Sequence, residues 1–298
     1  MVMRLFILQV TFLLSITSFM FSKNYYTGNE TVVVTGSLDG KNSFISYVTI
    51  NGCNYIIKQK KVTTKLMAMV RDALGAYIAK DLGIAPSAQI IKAKENIPGK
   101  VYPQLPAILQ TLAHGKTVRE QPESKYYKLS LKQRSPEEDQ LEGRWLTEVM
   151  INQMTWHKQL PIIMALDLFI SNTDRHSGNI FYDPITDSFC AIDMDCIFRC
   201  DIPAFACKKL DLMVNVYKKK FTIQEIEALT IVRDTLKFLL KKYTSKKIIE
   251  QLHLFVRQVE CAKMVNKIAE LEEMIIKNQI SVRKLIVVLD KIINNFYQ

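Results

Sequence analysis

Apolar positions fall in short β-branched runs near the start of the chain and in spacings of three and four residues towards its end. Thr31–Thr35 and Phe44–Ile50 read as strands, and Asn51-Gly52 is a strong hairpin signal leading into a third strand, Asn54–Lys58. The period then changes. Apolar residues at 66, 70, 73, 74, 77, 78 and 82 predict a helix over Leu66–Leu82, with Gly83 suited to cap its end. Ala85–Ala93 reads as one further strand. From 94 to 140 the periodicity fades among charges and prolines (Pro98, Pro103, Pro106, Pro122), which predicts a hinge and irregular insertion holding at most a short helix at Ile108–Ala113.

The pattern returns at Leu141–His157, a predicted helix with Trp145, Met150, Met154 and Trp156 on its core side. An apolar run, Pro161–Ile170, follows, and then two short strands, Ile180–Tyr182 and Phe189–Ile192, separated by a turn at Asp183-Pro184. Residues 221–298 read as helical. Thr222-Ile-Gln-Glu225 is a capping box, Lys246 to about Lys277 carries helical spacing, and Val282–Phe296 is a last amphipathic helix. These elements predict an α+β chain with a small β-rich part at 23–93, the insertion at 94–140 and a mostly helical part at 141–298.

Between the apolar run and the paired strands lies a dense polar cluster: Asn172, Asp174, Arg175, His176 and Asn179. Asp193 and Asp195 follow the second strand. Asp174 precedes Asn179 by five positions, and Asp193 comes fourteen later, after a strand. Two strands around a turn, with acids at both ends, would bring the three together. Phosphoryl transfer requires such a set: a carboxylate to orient the attacking hydroxyl, and oxygen ligands to hold Mg²⁺ against the phosphates.

The other features fit this chemistry to different degrees. Lys58 ends an apolar strand, where it can point inward to the α- and β-phosphates, whereas Lys60 and Lys61 read as solvent-facing. Asp72 lies on the following helix, where the pattern alone is equally consistent with a surface acid paired to a nearby Lys or Arg. The stretch Gly36-Ser37-Leu38-Asp39-Gly40-Lys41-Asn42-Ser43 is where backbone N–H groups and hydroxyls could cover nucleotide phosphates, although by itself it is an ordinary turn composition. His157 reads as structural.

The motif NTDRHSGN followed by AIDMD resembles the catalytic and metal-binding motifs of the phosphoinositide 3- and 4-kinases and their bacterial relatives, and more loosely the HipA-like protein kinases. The resemblance covers residues 161–198 and, less closely, 31–92. It implies a two-lobed protein-kinase-like fold and ATP with Mg²⁺ as cofactors. Asp174, Arg175 and His176 would be catalytic residues, with Asn179, Asp193 and Asp195 the metal site, and Lys58, Asp72, Gly36, Ser37, Gly40 and Lys41 the nucleotide contacts. Two departures stand out: Asp195 occupies a position where glycine is usual, and Asp72 replaces a longer glutamate. The implied acceptor is a phosphoinositide hydroxyl, with a protein Ser/Thr as the alternative, and a non-catalytic pseudokinase as the reading of another class. Cys196–Lys209 would be the activation segment, with Arg199, Lys208 and Lys209 as candidates for reading an anionic headgroup.

Charge adds to this. A net charge of +11 favours anionic partners, a nucleotide, a phosphoinositide or a membrane surface, while no nucleic-acid module is visible. Residues 1–22 carry a short positive start and an apolar Leu5–Phe21, the layout of a secretory signal or anchor, and predict export. The six cysteines lack zinc-site spacing and are compatible with disulfides in an oxidising compartment.

Overall fold

A computed structural model describes residues 43–60, 65–92, 106–129, 146–259 and 264–298, together with the backbone of Val10–Thr11 and Thr31–Asp39. The rest of segment 1–22, and Gly40 and Lys41, lie outside the described residues. The architecture is mixed α+β: a small antiparallel sheet region leads into a larger helical part.

The first sheet runs in the order β1 (Val10–Thr11), β2 (Thr31–Asp39), β3 (Ser43–Ile50), β4 (Cys53–Lys60), β6 (Pro106–Thr111), β5 (Ala88–Lys92), with every neighbour antiparallel. The Asn51-Gly52 hairpin forms as expected, with both residues at positive φ. Gly36 and Ser37 belong to β2, beyond a bulge, and pair with Tyr47 and Ser46, so the strand runs further than its β-branched run suggested.

The helix expected at Ile108–Ala113 is instead a strand. Pro106–Thr111 is inserted between β4 and β5, and Ala107, Ile108 and Leu109 are buried. A short apolar run gives no periodicity to tell strand from helix, and here a central slot in the sheet decides it. The small sheet therefore draws part of its core from the stretch read as insertion.

Helix α1 (Leu66–Ala79) packs on this sheet and ends in a tight turn, Lys80–Leu82, closed by Gly83 in the left-handed region at φ 65°. The helical part comprises α2 (Glu148–Met154), α3 (Leu160–Phe169), α4 (Ile202–Asp211), α5 (Ile223–Lys242), α6 (Ser245–Val259) and α7 (Val265–Tyr297). The capping box forms at the start of α5: the Thr222 hydroxyl accepts from the Glu225 N–H, and the Glu225 carboxylate accepts from the Thr222 N–H.

A second sheet joins β7 (Lys116–Thr117), β8 (Ile180–Asp183) and β9 (Ser188–Ala191). It is tied back to the small lobe where the Ala191 N–H donates to the Ile84 carbonyl at 2.6 Å. One continuous apolar core runs through both parts, from Met69 and Leu74 on α1 to Leu285 and Leu289 on α7.

The expected break near residues 278–281 is absent, and α7 runs through it. Asn278, Gln279 and Ser281 are polar because they reach buried partners: the Phe169 carbonyl, the Tyr243 carbonyl and the Asp201 carboxylate. Within the stretch from Lys246 to about Lys277 the described residues form two helices, α6 to Val259 and α7 from Val265. Among the described residues no helix is long and apolar enough to cross a membrane, and the described cysteines (53, 190, 196, 200 and 207) are free thiols.

Candidate active site

The site lies where β4, α1 and the loops around β8 and β9 meet. Its foundation is an aspartate the motif reading passed over. Asp167, on the apolar helix α3, is fully buried and forms a two-pronged pair with Arg175, Nε to Oδ2 and Nη2 to Oδ1 each at 2.9 Å. Arg175 Nη1 donates to the Asn179 carbonyl at 3.0 Å and to the Ile192 carbonyl at 2.7 Å. One guanidinium thus ties α3, the loop after it and the end of β9 together. A lone acid inside a run such as ALDLF was the available signal, because a buried carboxylate needs a charged partner. Arg175 is also fully buried, with its guanidinium bonded to Asp167 and to two backbone carbonyls.

The loop closes on itself through side-chain amides. Asn172 donates to Asp167 Oδ1 at 3.0 Å and accepts from the Asp174 N–H at 3.1 Å. Asn179 Nδ2 donates to the Asp174 carbonyl at 3.0 Å, which leaves Oδ1 as the end able to ligate a cation. The Ile192 N–H donates to the Asn179 carbonyl at 3.0 Å, so the residue before Asp193 is fastened to Asn179. The expected meeting of Asp174, Asn179 and Asp193 is in this way built from named bonds.

His176 caps the short turn Ser177–Asn179 by accepting the Gly178 N–H on Nδ1 at 3.0 Å. That bond needs an unprotonated Nδ1, which places the proton on Nε2. Burial pushes the ring below its usual pKa and outweighs the opposing pull of Asp174. Its observed part is loop closure.

Lys58 Nζ lies 2.8 Å from Asp72 Oδ2 and 2.6 Å from Asp193 Oδ1. Burial works to lower the Lys58 pKa, but the two carboxylates more than offset it and hold the amine above its ordinary value. The shorter Asp72 therefore spans the gap, and its Oδ1 also accepts from the Met194 N–H at 2.8 Å. Asp193 sits at φ 56°, in the left-handed region where non-glycine residues are uncommon and strain is concentrated at functional positions.

Lys60 departs from its expected solvent-facing place. It is buried, 3% exposed, and pairs with Asp195 at 2.9 Å. Residues two apart on a strand share a face, so Lys58 and Lys60 form a ladder against Asp193 and Asp195. Burial raises the Asp195 carboxyl, yet Lys60 and a hydrogen bond from the Cys196 thiol bring it below the usual range. Asp195 is thereby paired with Lys60, as Asp193 is with Lys58.

Ser37 and Gly36 lie within β2, at the edge of β3. The expected activation segment is mostly helix: Asp201 caps α4, and Lys208 and Lys209 lie in its last turn, where positive charge suits a helix end. His157 packs edge-on against Tyr126 and Phe189, a structural placement.

No protein-family model matches the chain, and no curated protein matches it in sequence. Among solved structures the chain is similar to the crystal structure of a Helicobacter pylori proinflammatory kinase CtkA, at 12% identity and a TM-score of 0.46, covering 89% of this chain and 96% of that one.

Proposed function

We propose that the chain is a kinase that transfers the γ-phosphate of ATP to a hydroxyl. The observation that carries this reading is the convergence of Lys58 on Asp72 and Asp193, beside an Asn179 whose amide nitrogen is bound to the Asp174 loop. Asn179 Oδ1 and Asp193 supply hard oxygen donors of the kind Mg²⁺ takes, and the ion would bring the charge neutralisation that the transferring phosphates require. Lys58 lies beside Asp193, where it would meet the α- and β-phosphates. Asp174 would orient the acceptor hydroxyl and accept its proton. Arg175 fixes the loop, and Lys60–Asp195 fixes the segment after Asp193.

A phosphoinositide is the acceptor we favour, on the literal DRHSGN motif and the basic surface; a protein Ser/Thr is the competing acceptor. The non-catalytic reading draws on the short Asp72 and on the atypical 36–43 loop, and the 2.8 Å contact of Asp72 with Lys58 weighs against the first of these.

The test is transfer of labelled γ-phosphate by the purified chain with Mg²⁺, offering phosphoinositide vesicles and a protein lysate in parallel. We expect label in the lipid, abolished by Asp174→Ala and by Asp193→Ala. Label in protein alone would move the acceptor to the second choice. Transfer undiminished in both variants would remove the site assignment.

A further inference from the structure

A second charged cluster lies beside α1. Arg71 on α1 and Arg199 on the loop after Asp193 line a cleft of about 450 Å³, closed on its far side by α7. Arg71 Nε is buried and has no hydrogen-bond partner among the described residues. Buried guanidinium nitrogens are normally satisfied, so this N–H is open to an acceptor from outside the chain. Both guanidinia line this space. Burial, and next the charge of Arg199, push the Arg71 pKa down against the opposing pull of Asp195 and Glu270.

The remaining charges are mixed. Lys277 adds a third cation, and Glu270 and Glu273 add two carboxylates. All three are exposed residues of α7, and none forms an ion pair with Arg71 or Arg199 among the described residues. Acids on the α7 wall disfavour a long polyanion and leave room for a compact one. We propose that Arg71 and Arg199 form an anion site for a single phosphate group, as a free phosphate or as the monoester of a headgroup.

Paired guanidinia suit a dianion with three equivalent acceptor oxygens, which can take bonds from both forks at once. The phosphate would not come from modification of the adjacent segment, since Asp195–Met213 contains no Ser, Thr or Tyr. Arg71 precedes Asp72, and Arg199 is six residues after Asp193, so an anion held between them would pin α1 to the segment bearing Asp193. The site rests on this geometry and not on the phosphotransfer reading.

The experiment is calorimetric titration of the full chain at constant ionic strength with inorganic phosphate, and flotation with phosphatidylcholine vesicles with and without a phosphomonoester lipid. Arg71→Gln and Arg199→Gln are measured beside the wild type, with their urea midpoints as a check on folding. Wild-type binding weakened by roughly tenfold or more in each variant supports the site. Response to phosphate in solution identifies a free ligand, and response to the doped vesicles alone identifies a headgroup. Should Arg71→Gln fail to fold, the exposed Arg199→Gln decides. No binding by the wild type, or equal binding by the folded variants, overturns the proposal and leaves the transfer assay untouched.

Discussion

At the scale of single residues, Arg175 carries the most structure. Its guanidinium bonds Asp167 and two backbone carbonyls inside the core, so removing either charge strands the other there. We expect Asp167→Ala to lower stability by about 3–5 kcal/mol, read from urea denaturation, because an unpaired buried charge costs far more than a lost surface pair. His176 gives a pH dependence of known sign. Its folded pKa lies below the unfolded value, so the unfolded chain binds more protons between the two and stability falls as pH drops through that window. Thermal melts from neutral to mildly acidic pH will show this loss in the wild type. It will be smaller in His176→Asn, whose side-chain oxygen can accept the Gly178 N–H without titrating.

At the scale of elements, α1 shows how a local rule is reversed by contact. Glycine inside a helix is about 1 kcal/mol worse than alanine, so Gly75→Ala alone would favour the helix. A Cβ there would lie 2.5 Å from Met194 Cβ and 2.8 Å from Met194 Sδ, nearer than atoms can pack. We expect Gly75→Ala to destabilise the protein by about 1–3 kcal/mol, measured as a lowered denaturation midpoint, since overpacking outweighs propensity. The same closeness lets Asp72 reach the Met194 N–H. Element types followed from local pattern where the pattern was long or capped, as in α1 and in α5 with its Thr222–Glu225 box. The short helix expected at Ile108–Ala113 is instead part of strand Pro106–Thr111, because so few residues carry too little periodicity, and the place of that strand between β4 and β5 is set by residues far away in sequence.

At the scale of the whole molecule, α7 braces the loop that bears Asp174 from behind. Asn278 donates to the Phe169 carbonyl at the end of α3 and accepts from the Ser171 hydroxyl, which in turn accepts from the Ile202 N–H at the start of α4. Replacing Asn278 with Leu keeps the volume but leaves several buried polar groups unpaired. A loss of about 1–3 kcal/mol or more is expected in urea denaturation, with a fall in any transfer activity, because the loop bearing Asp174 follows directly. A matching loss from Ile276→Ala, on the exposed face of the same helix, would show that α7 contributes only bulk packing.

What the sequence determined by itself was the chemistry on offer and its spacing. Asp174, Asn179 and Asp193 are five and fourteen residues apart around two short strands, and that local geometry leaves few places for them to go. Strand ends, helix periods and caps are short-range properties, so they are written in adjacent residues. What only the tertiary structure decided was partnership. The pattern alone makes Lys60 a surface lysine, where the fold sets Asp195 against it; it makes Arg175 one more polar residue of the motif, where the fold buries it on Asp167; and it gives Asn278 no role, where the fold sets it against the Phe169 carbonyl. In each case the deciding partner lies on another element. A polar side chain looks the same in sequence whether it faces water or a buried counter-charge, and only the fold supplies the neighbour that tells the two apart.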